Sequence, residues 1–421
     1  MLVLAVALLV VGSLAVAAVT LRAVPPQPVP EVSEADLARD FSADERAREQ
    51  AFRRRVRPWG LAGALLDVLV PTLLVLSGAL EPLAAPGGAS WLSVVATTTV
   101  VLLAGRAATL PGAVVVRRCS LEIGLAAGTW RRWARDVAVA WLLGWAITSA
   151  ALVGWVAAAR TWPQAWWLPV AAVAAAAVVV LSFVLPVVVE PLFARFTPMP
   201  DGDVRDRVLA LADAAGVHVR EVLVADASKR TTALNAYVSG LGRTRRVVVH
   251  DTLLDTGRDD DVAAVVAHEL GHVVARDVTV GTVLGAAGAA LGVLAGYVLL
   301  SWQALLDAAH VPGPSDPAVA GLLLALGAWA GLLGAPLQTA VSRRIERRAD
   351  TFSLDLVGDP GTVARMQRSL AVTNVAPLRP PRLLHLWFGT HPTSPERIAA
   401  AREWGAAHGI PVPALVAPPG T

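Results

Sequence analysis

The sequence predicts a mostly α-helical protein that crosses a membrane several times and carries a small α+β unit in its polar segments. Three observations predict it. Of 421 residues, 55% are hydrophobic and only 16% are charged, where a soluble domain has about a quarter charged. Mean hydropathy is +0.57. The apolar residues are also gathered into long runs, several near the roughly 20 residues that cross a bilayer as a helix. The same figures exclude a disordered chain or a charge-rich tail that binds nucleic acid. Net charge is only +3, and Lys229 is the one lysine among 36 basic residues. A single cysteine, Cys119, excludes an intramolecular disulfide and any cysteine-built zinc or iron–sulfur site. It reads as an ordinary free thiol.

The expected spans are 2–21, 61–83, 91–115, 136–158, 166–189, 277–300 and 317–339. Ala15-Val16-Ala17 resembles a signal-peptide cleavage site, but no positive charge precedes the first apolar run, so a retained span is preferred. Arginine sets the orientation. Eight arginines from Arg22 to Arg57 separate spans one and two, and Arg117, Arg118, Arg131, Arg132 and Arg135 follow span three. The stretches after spans five and seven are also arginine-rich. The loops after spans two and six hold no Lys or Arg, and the loop after span four holds only Arg160. This alternation places the N-terminus outside and the polar segments in the cytoplasm of a multi-pass plasma-membrane protein. Trp162, Trp166 and Trp167 suit an interfacial belt. Asp67 and Arg106 fall inside spans, where charge is costly. Either they pair or line one polar cavity, or each snorkels to the interface alone.

The chain therefore divides into spans one to five (1–189), a first polar segment (190–276), spans six and seven (277–340), a second polar segment (341–410) and a proline-rich, disordered tail (411–421). In the first polar segment, Val204–Ala215 has helical periodicity. Val222–Val224 and Val247–Val249 are β-branched runs bounded by turn residues, and Asn235–Gly240 reads as a further short strand. Asp259-Asp260-Asp261 opens a helix with carboxylates at its positive end, and that helix runs from Val262 through Val274. The second polar segment holds helices near 341–356, 361–372 and 394–408.

His268-Glu269-Leu270-Gly271-His272 lies on the helix that Asp259 opens. Histidines four apart share one helical face, so both rings can hold one metal ion, with Glu269 beside them as a base. Zinc brings the pKa of a bound water toward 7, so a weak carboxylate base suffices. A catalytic zinc needs a third protein ligand and an open fourth position. Glu346 and Asp350 lie one turn apart just beyond span seven. Glu346 is a candidate ligand and Asp350 a candidate hydrogen-bond partner for a liganding imidazole. From spacing alone a solvated arginine–carboxylate helix competes with that reading. Of the other histidines, His310 falls in an outer loop, out of reach of these residues, and His218, His250, His385 and His408 show no metal spacing and read as surface or packing residues.

These residues resemble the type I CAAX prenyl endopeptidases, membrane zinc metalloproteases of the gluzincin type. The likeness extends to Ser228-Lys229-Arg230-Thr231 with Asn235-Ala236-Tyr237, to Val249–Leu254, and to the His391-Pro392…Glu396-Arg397 signature. It covers nearly the whole chain, and the seven spans agree with it. HtpX-like quality-control proteases share the zinc motif but have fewer spans. The resemblance implies seven helices forming a chamber, closed at one end by a small α+β zinc metalloprotease domain. It implies one Zn2+ per chain held by His268, His272 and Glu346, with Glu269 activating water and Asp350 supporting a ligand. Asn235, Ala236 and Tyr237 would form an edge strand that pairs with extended substrate. His391 and Arg397 would face the developing oxyanion, with His391 preceding a helix capped by Thr393 or Ser394.

The expected partners are a peptide or protein substrate, possibly membrane-anchored, and the lipid bilayer, with no nucleic acid and no second copy of the chain. The arginine- and alanine-biased composition points to a GC-rich bacterial genome, where prenylated CAAX proteins are not expected. The reading is therefore endopeptidase chemistry without commitment to a CAAX substrate. Its alternatives are HtpX-like quality control, or a transporter or scaffold with a structural zinc site. The intact Glu269 favours catalysis, because a structural site needs ligands but no base.

Overall fold

The computed structural model describes residues 1–84, 91–240, 242–256 and 259–416. In chain order its helices are α1 (Leu2–Ala23), α2 (Glu34–Asp40), α3 (Ala43–Leu76), α4 (Trp91–Glu122), α5 (Trp130–Thr161), α6 (Trp167–Val188), α7 (Glu190–Phe193) and α8 (Asp203–Ala214). There follow α9 (Asp251–Thr256), α10 (Asp259–Val274), α11 (Asp277–Leu299), α12 (Gln303–Ala308), α13 (Val319–Val357), α14 (Pro360–Thr373), α15 (Arg382–Phe388) and α16 (Ser394–Ala407). The strands are β1 (Phe196–Pro198), β2 (Glu221–Ala225), β3 (Ala236–Ser239) and β4 (Arg246–His250).

Among the described residues, seven helical segments are long and apolar enough to cross a membrane: α1, α3, α4, α5, α6 with α7, α11 and α13. The predicted mostly helical, seven-span architecture is thus the observed one. The helices outrun the apolar windows that announced them. α3 starts at Ala43, where Ser42 and Glu45 form a capping box, although its apolar run starts near 61. α13 continues span seven without a break to Val357, so the separate helix expected from 341 is its polar half. Leu73, Leu92, Val173, Leu333 and Leu337 stand exposed on the outer faces of the spans, as lipid-facing side chains do. Trp166 and Trp167 depart from the expected belt. Both are buried, and Trp166 packs on Trp155 with ring centroids 4.6 Å apart. Only Trp162 of the three is exposed.

α3, α4, α5 and α13 enclose a cavity of about 1030 Å³. Asp67 and Arg106 both line it, together with Trp59, Trp141 and Trp145. No ion pair joins the two charges among the described residues, so the cavity rather than a direct bond accounts for their place in the spans.

The polar segments build one small α+β unit. Its sheet has the order β1-β2-β4-β3, with β2 and β4 parallel and the outer pairs antiparallel. β3 is an edge strand, registered Ala236 to Val249 and Tyr237 to Val248. The core lies between the sheet, α8, α10, α14 and α16, and includes Val247, Val249, Val266, Leu270, Met366 and Ile398. The chain from Pro411, expected to be loose, is held as far as Val416. Val412 and Leu415 pack on this core, and the carbonyl of Pro413 accepts from Arg402. Residues 417–421 of the expected tail lie outside the described residues.

Candidate active site

α10 is the central helix of the polar unit. Asp259, Asp260 and Asp261 occupy its first turn, where the partial positive charge of the helix terminus favours carboxylates. Residues Val262 to His268 are all buried. The helix packs along the polar half of α13, and Gly271 sets how closely. A Cβ there would lie 3.1 Å from Ala349 Cα and 3.2 Å from the Phe352 ring. This close approach brings Glu346, on α13, against the two histidines of α10.

The Nε2 atoms of His268 and His272 stand 3.2 Å apart. Glu346 Oε2 is 3.3 Å from His268 Nε2, and Oε1 is 3.7 Å from His272 Nε2. Glu346 is buried, and its Oε2 has no aligned hydrogen-bond donor. Glu269 offers a carboxylate oxygen within 4.8 Å of both ring nitrogens. Burial pushes its pKa above the ordinary carboxylate range, against the pull of the two imidazoles.

On its other side, His268 Nδ1 lies 3.0 Å from Asp350 Oδ1. Burial and Arg397 depress the His268 pKa, but Asp350 and Glu346 prevail and raise it to about 9 in the metal-free protein. Arg397 sits differently from the expectation that it faces an oxyanion. Its Nε donates to both oxygens of Asp350, at 3.0 and 2.9 Å, and its Nη2 reaches Asp350 and lies 3.2 Å from His268 Nδ1. With its amide oxygen turned to the guanidinium, buried Gln367 accepts from the same nitrogens at 3.1 and 3.0 Å. His391 does face the site. Its ring is 61% exposed, and Nδ1 lies 2.7 Å from Glu346 Oε2. It precedes α16, whose N-cap is Thr393 in a capping box with Glu396.

These groups open into a pocket of about 390 Å³ lined by Asn235, His268, Glu269, Glu346, His391 and Arg397. Asn235 stands one residue before β3, and its carbonyl accepts from His250 N at 3.0 Å. Ala236 and Tyr237 lie within the strand, Tyr237 with its hydroxyl 3.4 Å from Glu190. Burial and that carboxylate push the Tyr237 pKa well above the ordinary phenol value, so the phenol stays a donor. Three residues not singled out from sequence also belong here. Asn374 clamps the strand entry, accepting from Leu234 N at 2.9 Å and donating to Leu234 O at 3.3 Å. His385 lines the pocket. Asp277 Oδ2 lies 2.9 Å from His272 Nδ1. No local spacing announces any of the three.

Two family models match adjoining parts of the chain. Residues 29–195 match the CAAX prenyl protease N-terminal model of five membrane helices, and residues 198–405 match peptidase family M48. The chain belongs to peptidase family M48. Among relatives, the uncharacterized metalloprotease YhfN of Bacillus subtilis is 29% identical over 301 residues, 70% of each chain. CAAX prenyl protease 1 of Saccharomyces cerevisiae is 41% identical over 90 residues, which is 21% of this chain and 20% of that one. The crystal structure of S. mikatae Ste24p shares the fold with a TM-score of 0.73 at 19% identity, over 95% of this chain and 97% of that one. As an M48 member this is a membrane metalloendopeptidase, and the family is zinc-dependent. The donor set fits zinc. Separations of 3.2, 3.3 and 3.7 Å approach the roughly 3.3 Å edge of a tetrahedron with bonds of about 2.0 Å.

Proposed function

We propose that this M48 peptidase cleaves internal peptide bonds of membrane-associated or lipid-linked proteins at one zinc ion held by His268, His272 and Glu346. The convergence of those three side chains, with Glu269 beside them in an open pocket, carries the reading. Bound zinc supplies a Lewis acid for the scissile carbonyl and lowers the pKa of the attacking water. Glu269 takes the water's proton as its oxygen attacks the carbonyl carbon, then delivers that proton to the leaving amine as the C–N bond breaks. Its raised pKa suits it to both steps. His391, exposed at the pocket, donates to the developing oxyanion. Arg397 acts from behind, fixing Asp350, which holds the Nδ1 proton of His268 and leaves Nε2 as ligand.

The substrate lies extended along the outer edge of β3, with Asn235 at the catalytic end and the backbone of Ala236 and Tyr237 as partners. The arginine distribution supports a plasma-membrane protein with its N-terminus outside and this site on the cytoplasmic side. It works as a monomer, since every proposed ligand and base comes from one chain.

Glu269→Ala in the purified protein tests the chemistry. Zinc content should be kept while peptide cleavage falls by at least about a hundredfold; unchanged cleavage with zinc retained would refute the mechanism. Terminal-peptide profiling of membranes holding wild type or Glu269→Ala then tests the role. Loss of a sequence-defined set of cleavages supports precursor processing, whereas loss scattered over damaged proteins points to quality control.

A further inference from the structure

The two liganding histidines are backed by different carboxylates. His268 has Asp350, on the same helix as Glu346. His272 turns its Nδ1 to Asp277, 2.9 Å away, and Asp277 is buried. On one continuous helix, residues five apart point about 140° away from each other. The contact exists because α10 and α11 are separate helices: Arg276 between them is left-handed, with φ 57°. Asp277 opens α11, the sixth span, and is brought back to face the imidazole.

The other oxygen of Asp277 accepts from Nη2 of Arg348. Nη1 of that guanidinium donates to the carbonyl of Ala23 at 2.8 Å. Ala23 is the last residue of α1, where a helix leaves carbonyls without partners and favours a cation. A single arginine of the polar half of α13 thus joins the end of the first span to a carboxylate at the start of the sixth. Neither Asp277 nor Arg348 lines the catalytic pocket.

We propose that Asp277, held by Arg348 against the end of the first span, is the positioning residue for His272 as a metal ligand. Metal affinity therefore depends on how the first span is docked. The inference rests on reading His272 as a ligand. A carboxylate accepting the Nδ1 proton fixes the tautomer that presents the Nε2 lone pair and strengthens that nitrogen as a donor. Arg348 pairs with the buried carboxylate, since a buried charge left unpaired would be costly.

The test measures the zinc dissociation constant by chelator competition on the full-length protein in detergent, with the melting temperature of each metal-free variant alongside. Asp277→Ala should bind zinc about 10- to 100-fold more weakly. Asp277→Asn, whose amide oxygen still accepts the Nδ1 proton, should lose less, and it decides the matter if the alanine variant does not fold. Arg348→Ala should weaken zinc binding in the same direction. The double variant should be no weaker than Asp277→Ala, because Arg348 acts through Asp277. The d–d absorption of the cobalt-loaded protein should shift in each variant, which a purely structural role would not produce. Wild-type zinc affinity in both Asp277 variants, or losses that simply add in the double variant, would overturn the proposal. His272→Ala separates the two levels. If it holds zinc as tightly as wild type, the ligand set fails. If it loses zinc while Asp277→Ala does not, only the positioning role fails.

Discussion

His268 shows how much of the proposed metal site lies behind its ligands. Burial and Arg397 push this imidazole toward neutrality, yet Asp350 and Glu346 lift it to about 9. The ordinary value is 6.5, so the folded-state pKa is raised. In the metal-free protein the charged ring therefore adds stability in full below about pH 6.5, and that contribution is lost as pH rises through about 9. A zinc ligand must be neutral. Zinc uptake at pH 7.5 should release close to one proton from this site, and affinity should fall as pH falls. Calorimetry in two buffers of different ionisation enthalpy measures that proton; equal heats in both would show that none is released. Spacing announced His268, Glu269 and His272, because four residues make a helical turn. Glu346 and Asp350 stood as candidates by their place just beyond span seven, but only the family likeness favoured them over a solvated arginine–carboxylate helix, and His391 emerged through that likeness alone. Asp277 and Asn374 stayed hidden, because each meets its partner through a chain reversal or across more than a hundred residues.

The same limit operates on elements. Hydropathy located all seven spans, but it reports contact with lipid rather than the extent of a helix. α3 and α13 continue well into the polar region on arginine-rich, amphipathic sequence, and their apolar windows stop at the interface. That continuation carries Glu346 and Asp350 to α10. Their delivery depends on Gly271, where the nearest atoms to an added Cβ are α13 backbone, which cannot swing aside, and the Phe352 ring. Gly271→Val should cost about 1–3 kcal/mol through overpacking and push Glu346 away from the histidines. Zinc content and cleavage should fall further than the melting temperature of the metal-free protein suggests. A variant that melts lower but keeps full zinc occupancy would show that the ligand geometry does not rely on this approach. The short elements α2, α9, α12, α15 and β1 escaped sequence reading because three to seven residues carry too little periodicity to register.

At the scale of the molecule, the spans do more than anchor the polar unit. The cavity of about 1030 Å³ among α3, α4, α5 and α13 and the catalytic pocket share Phe388, at the end of α15. α15 is tied to α13 by hydrogen bonds from Thr339 to Leu386 O, from Arg343 to His385 O and from Trp387 to Leu332 O. The chamber and the site thus border each other at one aromatic side chain on a braced helix. Gly63, Gly105 and Gly144 line the chamber, and a Cβ at any of them would meet nothing within 4 Å. Filling this space should not strain the fold, and replacing a mid-helix glycine gains up to about 1 kcal/mol in helix propensity. Gly63→Leu, Gly105→Leu and Gly144→Leu should therefore leave the melting temperature unchanged or higher and zinc content intact. If the chamber accommodates part of a membrane-linked substrate, cleavage of such a substrate should fall severalfold while cleavage of a short soluble peptide holds. Equal rates on both substrates in the triple variant would mean that the chamber serves the architecture alone.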